Sequence, residues 1–320
     1  MLLHHRRRYE RLGSMRQLDA ERDCAEIYRQ SVTLEFPWDY TRSLELALYR
    51  TYAVPTIGRL LARTGELTER PQKRYDDTAL LLDSVLEHGF EAERGRTAIR
   101  RINQMHRSYD ISDDDMRYVL STFVVMPARW LDRYGWRPLS EHERRATVAY
   151  YRLLGRHMGI RNIPGTYEEF VRCLDDYEEE HFGWDEGSRA VSDATLALMV
   201  SWYPRPLAPV TRRAAKALMD DSLLRAFRYG RPPAALRTLV RGALRVRAHV
   251  LRLFPPRRTP RYGRQNPLIR TCPGASSGDY SVAGLGTFPS AGEPSAATGP
   301  RAAAGSPASE GNSEGRSGDR

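Results

Sequence analysis

Apolar residues recur every three or four positions along most of the chain, which is the spacing of an α-helix with one buried face. Leu81, Leu82, Val85 and Leu86 keep this spacing, and their run stops at Gly89, a residue type that often ends helices. The same periodicity predicts three further helices, which begin at Ser112 or Asp113 or cover residues 192–202 and 211–229.

Two helix starts are marked by capping boxes, in which a Ser or Thr and a Glu three residues later bond each other's backbone amides. The boxes are Ser140 with Glu143 and Thr166 with Glu169. Only residues 31–36 form a strand-like run, and no second run could pair with it. We therefore predict an all-α fold.

Composition sets the expected limits of the folded part. From residue 273 to 320, 33 of the 48 residues are Gly, Pro, Ser or Ala, and such a segment buries too little apolar surface to offset its ordering entropy. We expect the globular part of the chain to run from about Asp19 to Phe254 and to be followed by a disordered tail. The expected division is an N-terminal segment over residues 1–39, the domain over 40–254, and a basic linker with the tail over 255–320.

Charge is concentrated in one region. The chain of 320 residues has a formal net charge of +10, and residues 222–278 contain 13 Arg and no acid. An apolar stripe through Leu236, Leu239, Val240, Ala243, Leu244 and Val250 accompanies these arginines. This pattern suits an interfacial helix on an anionic membrane or a nucleic-acid surface, but it is more often that of a packed helix with a basic outer face. No motif indicates sequence-specific nucleic-acid binding.

Several classes of protein are excluded by simple patterns. No apolar run reaches the roughly 18 residues that cross a membrane, and the start lacks the apolar region of a secretory signal. We therefore expect a cytoplasmic protein. The three cysteines form no C-x-x-C pair, which excludes a disulfide scaffold and a Cys-rich metal site. Glycine-rich phosphate loops and G-x-S-x-G nucleophile elbows are also absent.

The histidines are the remaining candidates for metal ligands. His181 completes one Glu-x-x-His motif, but a di-iron bundle needs two, so His181 is better explained as a helix-end residue. His157 is a possible ligand and equally a helix-end residue. His106 shares its predicted helical face with Ile99 and Ile102. A histidine there is commonly a core residue, yet a neutral imidazole in an apolar pocket is also what haem iron requires. Upstream, Arg74 and Thr78 lie one helical turn apart.

These residues stand in a recognisable order. Arg74-x-x-x-Thr78 precedes a helix, then Ile102-Asn-Gln-Met-His106 and a run over residues 114–120. This arrangement resembles the catalytic domain of the MpaB and latex-clearing rubber oxygenase family over residues 40–253. Residues 129–135 and 156–164 resemble the MpaB branch in particular.

The resemblance implies a globin-like helical core that holds haem b. It implies that His106 is the axial iron ligand and that Arg74 and Thr78 belong to the haem pocket as catalytic and cofactor-binding residues. Glu66 and Glu69 are the candidates for the upstream glutamate that acts as a base in latex-clearing members. Those members can carry a lysine where this chain has Asp77, which disfavours polyisoprene as the substrate.

Two functions from different classes follow. The first is a haem-dependent oxygenase that uses O2 to attack an apolar, unsaturated prenyl or terpenoid substrate. The second is a non-catalytic helical protein that binds anionic membrane or nucleic-acid surfaces through its arginine-rich segment. For the first we expect a pocket with few polar groups besides Arg74, Asp77 and Thr78. Its expected apolar lining is Leu81, Leu82, Val85, Ile99, Ile102, Val119 and Phe123.

Overall fold

The computed structural model describes residues 2–287, in which it shows α-helices, short 3-10 and π segments and no β-strand. The predicted all-α fold with one helical domain is confirmed. The helices are α1 (Leu2–Met15), α2 (Cys24–Gln30), α3 (Pro37–Thr51), α4 (Pro55–Arg63), α5 (Glu66–Glu69), α6 (Pro71–His88), α7 (Glu93–Arg107), α8 (Asp113–Tyr134), α9 (Glu141–His157), α10 (Tyr167–His181), α11 (Glu186–Ser201), α12 (Ala208–Leu218), α13 (Asp221–Ala226) and α14 (Ala234–Leu253).

The long helix α8 lies at the centre of the fold. It packs against α3, α9 and α10, and its Tyr118, Val124 and Val125 are almost fully buried. The Ser112 hydroxyl accepts a hydrogen bond from the Asp115 amide at 3.0 Å and so begins the helix. Helix α8 therefore connects the N-terminal helix α3 with the later helices α9 and α10.

The predicted capping boxes begin α9 and α10. Ser140 and Glu143 bond each other's backbone amides at the start of α9, and Thr166 and Glu169 do the same for α10. A cap of this kind contributes about 1 kcal/mol to helix stability. Both predicted helix starts are confirmed.

The strand-like run at residues 31–36 is instead a π-helix over Ser31–Glu35. The Phe36 amide donates to the Ser31 carbonyl at 2.9 Å, and the Ser31 hydroxyl donates to Glu143 at 3.0 Å. Thr33 is held similarly, since its hydroxyl donates to the Arg29 carbonyl at 2.8 Å. The strand prediction is wrong because the polar groups of this β-branched run are satisfied within the helix and its neighbours.

The helix expected over residues 211–229 is two helices, α12 and α13. Met219 is extended between them, and the Asp220 side chain accepts the Leu223 amide at 2.9 Å to begin α13. Asp220 also pairs with Arg50. The break follows because this cap and ion pair favour a new helix start at Asp220.

The core extends beyond the expected domain limits towards the N-terminus. Met15 and Ile27 are fully buried, and Phe36 is nearly so. Trp136 donates its indole N–H to the Glu35 carbonyl at 3.2 Å. Two N-terminal limits were expected, a globular part that starts at about Asp19 and a domain that starts at residue 40. Both therefore lie too far along the chain.

The segment that follows α14 also packs on the domain. Asp83 accepts the amides of Gly263 and Arg264 at 2.6 and 2.7 Å, and Asp76 accepts those of Arg270 and Thr271 at 2.9 and 2.7 Å. Ala275, Val282 and Leu285 are buried in the core. Disorder from residue 273 onward is therefore wrong for residues 273–287, while residues 288–320 of the predicted tail lie outside the described residues.

Candidate active site

A cavity of about 780 Å³ lies among α3, α4, α6, α7, α8 and α11, a size typical of small-molecule sites. Aliphatic and aromatic side chains form most of its lining. Ile99, which was expected there, is buried but does not line it. The other six residues of the expected apolar lining do so, namely Leu81, Leu82, Val85, Ile102, Val119 and Phe123.

His106 lies in the last turn of α7 and faces this cavity. Ile99 and Ile102 on the same side of the helix are buried, whereas Gln104 and Arg107 are exposed. The Nδ1 atom of His106 is buried and has no hydrogen-bond partner in the part of the chain that the structure describes. A buried polar atom without a partner is costly, and such an atom marks a position that a bound group could satisfy.

Burial, together with the positive charge of Arg74 as the smaller cause, lowers the pKa of His106 to about 4. The imidazole is therefore neutral near pH 7. A neutral ring keeps a nitrogen lone pair available, as an axial ligand of haem iron requires.

Arg74 and Thr78 are joined on α6, one turn apart. A guanidinium nitrogen of Arg74 donates to the Thr78 hydroxyl, and that hydroxyl donates to the Arg74 carbonyl at 2.8 Å. Arg74 forms no ion pair with an acid within residues 9–287. The structure thus brings Arg74, Thr78 and His106 to one cavity, with a cation that has no carboxylate partner of its own.

The two candidate glutamates have different surroundings. Glu66 is buried and lines the cavity, and its Oε1 atom accepts a hydrogen bond from Arg70. Its Oε2 atom is buried without a hydrogen-bond partner in the described chain. Glu69 is exposed and does not line the cavity. Burial therefore separates these two residues, which the sequence alone left equivalent.

The cavity contains more polar groups than the sequence suggested. Asp77 does not line it and pairs with Lys73 instead. Glu45 does line it, where it accepts hydrogen bonds from Tyr75 at 2.8 Å and pairs with Arg42 at 2.7 Å. Burial raises the pKa of Glu45. The expectation that Arg74, Asp77 and Thr78 are nearly the only polar groups is wrong, and the Arg42–Glu45 spacing on α3 was the available signal.

Asp115 is a second acid that sequence analysis missed. It lines the cavity and accepts hydrogen bonds from Tyr177 at 2.8 Å and from Thr56 at 3.0 Å. Its position in the first turn of α8 made it look like a simple helix-start residue. Contacts with Thr56 on α4 and Tyr177 on α10 are long-range, so the sequence carried no signal for them.

The other two histidines considered in the sequence lie at helix ends. His157 is exposed and stacks on Phe90 with ring centres 5.3 Å apart. His181 stacks on Tyr177 at 4.0 Å and also borders the cavity. No group of three or more His, Cys, Asp or Glu side chains within the described residues is arranged to hold a metal ion.

The residues around His106 fit a haem. One neutral imidazole would be enough to hold haem iron, because the porphyrin nitrogens would supply the remaining ligands. The unpartnered Nδ1 atom and the Arg74 guanidinium without an acid are the groups that an iron porphyrin with carboxylate side chains can satisfy.

The structure also contains no described helix that is long and apolar enough to cross a membrane.

Comparison with known proteins gives the family. The family described as ER-bound oxygenase mpaB/B'/rubber oxygenase, catalytic domain, matches residues 43–252. This chain belongs to that family. The match covers α4 to α13 in full, the second half of α3 and all but the last residue of α14, and it includes the whole Arg74, Thr78 and His106 arrangement. The predicted resemblance is confirmed.

Three relatives of this oxygenase family member are named oxygenases. "ER-bound oxygenase mpaB'" of Penicillium brevicompactum is 32% identical over 280 residues, which cover 78% of this chain and 66% of that protein. "ER-bound oxygenase mpaB" of Penicillium roqueforti (strain FM164) is 30% identical, covering 65% of this chain and 76% of the relative. "ER-bound oxygenase mpaB" of Penicillium brevicompactum is 31% identical, covering 61% and 57%.

The family is one of enzymes. The chain is therefore an oxygenase-family oxidoreductase by its catalytic domain, and the alternative of a non-catalytic binding protein is wrong. The alignments span about two thirds of the first relative and just over half of the third.

Proposed function

We propose that this MpaB-family protein is an oxygenase that depends on haem b, with His106 as the axial ligand of the iron. The observation that carries the proposal is the neutral, cavity-facing imidazole of His106, whose Nδ1 atom is buried without a partner. When bound, the haem supplies the activation of O2. The protein fixes the ligand and surrounds the reacting atoms with an apolar cavity.

Arg74, Thr78 and Glu66 have separate parts in the proposal. The Arg74 guanidinium binds a carboxylate of the haem or stabilises negative charge beside it. The Thr78 hydroxyl accepts a hydrogen bond from the Arg74 guanidinium and donates its proton to the Arg74 carbonyl, so it holds the guanidinium in place beside the cavity. Glu66 Oε2 accepts a proton from the substrate, since this carboxylate oxygen is buried beside the cavity and has no other partner among the described residues.

We propose that the substrate is an apolar, unsaturated chain of the prenyl or terpenoid class. Aliphatic side chains from five helices line the cavity, for example Leu44, Ile57, Leu82, Val119 and Leu198. Such a lining favours a hydrocarbon chain over a sugar or a nucleotide, which would need polar partners along its whole length. The polar groups at Glu45 and Asp115 are suited to hold a polar end of that chain. A cytoplasmic location belongs to the same proposal.

Absorption spectroscopy tests the haem assignment. The purified protein, reconstituted with haem b, is expected to show a Soret band and one haem per chain. His106→Ala should abolish or sharply reduce haem retention, because it removes the iron–nitrogen bond. His157→Ala is the matched control, and it should retain the band since His157 is exposed. Full haem occupancy in His106→Ala refutes the assignment.

Product analysis tests the substrate class. The haem-loaded protein is incubated with a farnesyl-bearing compound under labelled O2, and labelled carbonyl products are expected. They should be absent with free haem and much reduced in Thr78→Ala. If apolar alkenes consume no oxygen above the free-haem level while a polar substrate does, the substrate proposal fails and the haem assignment stands.

A further inference from the structure

Exposed apolar side chains are concentrated in one part of the chain. Of the eleven large hydrophobic residues that are exposed in the described structure, eight lie between residues 203 and 254. On the surface of a soluble protein such residues usually occur singly, and a group of them marks an interaction site. The eight are Tyr203, Leu207, Val210, Leu239, Val246, Val250, Leu253 and Phe254.

Helix α14 is apolar on two opposite sides. Leu244, Ala248 and Leu251 face the core, so the single stripe expected from the sequence is wrong. On the other side, four residues lie within ~60° of each other at the helical repeat. We name them the outer face: Leu239, Val246, Val250 and Leu253, which are 68, 63, 44 and 63% exposed.

Arginines without acidic partners flank the outer face. Arg245 on α14 and Arg258 just after it are exposed, and neither pairs with an acid in the described chain. The neighbouring helix α12, which packs against α14, exposes Arg212 and Arg213 near Val210. Residues 222–278 contain no acid, so no neighbour in that segment neutralises the charge of Arg245 or Arg258.

We propose that the outer face docks on the surface of an anionic lipid bilayer. Leucine and valine side chains would enter the boundary between headgroups and acyl chains, while the arginines contact lipid phosphates and carboxylates. A nucleic acid would match the arginines alone and leave four exposed aliphatic side chains against a polar backbone. The observations therefore favour lipid.

Docking there would bring the cavity close to the bilayer. Trp38 is 40% exposed and lines the cavity, and the Arg247 guanidinium of α14 lies 3.7 Å from the centre of its ring. The cavity therefore reaches the surface beside α14. This consequence rests on the proposed function, because it lets an apolar substrate pass from the bilayer to His106 without crossing water.

Vesicle flotation of the full chain tests the docking. Vesicles of phosphatidylcholine mixed with phosphatidylserine should bind the protein, and phosphatidylcholine alone should bind it much less. Added salt should weaken the binding, since exposed charges are screened. Leu239→Gln with Val246→Gln should reduce binding about tenfold, which corresponds to roughly 1.4 kcal/mol. Both positions are exposed, so the fold should persist in this variant.

Matched variants separate the apolar and charge contributions. Leu239→Ile with Val246→Ile should bind as the wild type does. Arg245→Gln with Arg258→Gln should lose binding to the mixed vesicles, whereas Arg172→Gln, exposed on α10, should not. Unchanged binding in the glutamine variants overturns the proposal. So does a dimer that these variants dissociate and that binds no vesicles, because the outer face would then contact a second copy.

The flotation assay needs neither haem nor turnover. A protein that floats but never retains haem leaves the docking proposal intact and refutes the proposed function. A protein that turns over an alkene but never floats refutes the docking proposal and leaves the proposed function intact.

Discussion

Arg74 lies close enough to His106 for its positive charge to lower the pKa of the imidazole. Burial is the larger cause, and together they bring the pKa from 6.5 to about 4. The two residues come from neighbouring helices, α6 and α7, that pack against each other. A guanidinium that pairs with no acid among the described residues therefore helps to keep a histidine unprotonated at the wall of an apolar cavity.

The first prediction concerns this interaction in the haem-free protein. Arg74→Gln should raise the pKa of His106 towards 6.5 without restoring it fully, because burial persists. NMR titration of the imidazole signals measures it directly. Arg63→Gln is the control, since Arg63 also lines the cavity but does not contribute to the shift. An unchanged His106 titration in Arg74→Gln would show that burial acts alone.

The same lowered pKa has a consequence for stability. A group whose pKa is depressed in the folded state contributes stability that is present above its unfolded pKa and is lost as the pH falls through the folded value. For His106 the window runs from about pH 6.5 to about pH 4, and the contribution is at most ~3 kcal/mol. Denaturation of the haem-free protein at several pH values should show this loss, and His106→Phe should remove it.

The second prediction separates holding the haem from reacting with it. Arg74→Ala should weaken haem retention less than His106→Ala does, because it removes a charge-assisted contact and leaves the iron ligand. Thr78→Val has nearly the shape of the native side chain and should retain the haem while product formation falls. Haem titration followed by product assay measures both. Normal turnover in Thr78→Val would exclude a role for this hydroxyl.

The third prediction compares the two candidate glutamates. Glu66→Gln keeps the size of a buried side chain and should lower kcat about 100-fold or more, the usual range for a lost general base, with normal haem retention. Glu69→Gln should leave kcat unchanged, because Glu69 is exposed and outside the cavity. Equal effects in the two variants would place the base elsewhere.

The local features of this fold could be predicted from the sequence. The Ser140–Glu143 and Thr166–Glu169 boxes and the Ser112 start each depend on residues within one or two turns, and the structure has all of them. The inward position of His106 followed from Ile99 and Ile102 for the same reason.

Long-range contacts explain what the sequence did not reveal. Residues 31–36 looked like a strand because β-branching was visible, whereas the Ser31–Glu143 hydrogen bond was not. The cavity acids Glu45 and Asp115 are held by partners on other helices. Residues 255–287 are attached to the domain by buried carboxylates of α6 and show no periodic apolar pattern. Composition alone therefore wrongly predicted disorder for residues 273–287.

The last prediction tests that attachment through Asp83. Burial raises the pKa of this carboxyl to about 6, although its hydrogen bonds from the Gly263 and Arg264 amides act in the opposite direction. A carboxyl whose pKa is raised in the folded state contributes stability below its unfolded pKa, here 3.8, and loses it as the pH rises through about 6. The loss over this window is ~3 kcal/mol at most.

Asp83→Asn has no charge to bury, so its stability should not carry this dependence. The free energy of unfolding of the wild type minus that of Asp83→Asn should therefore decrease between about pH 4 and pH 6 and then level off. Chemical denaturation of both proteins across this range measures the difference, in which other titrating groups largely cancel. A difference that increases with pH would mean that the two amide bonds outweigh burial and that the ionised carboxylate is the form that holds residues 263 and 264 to α6.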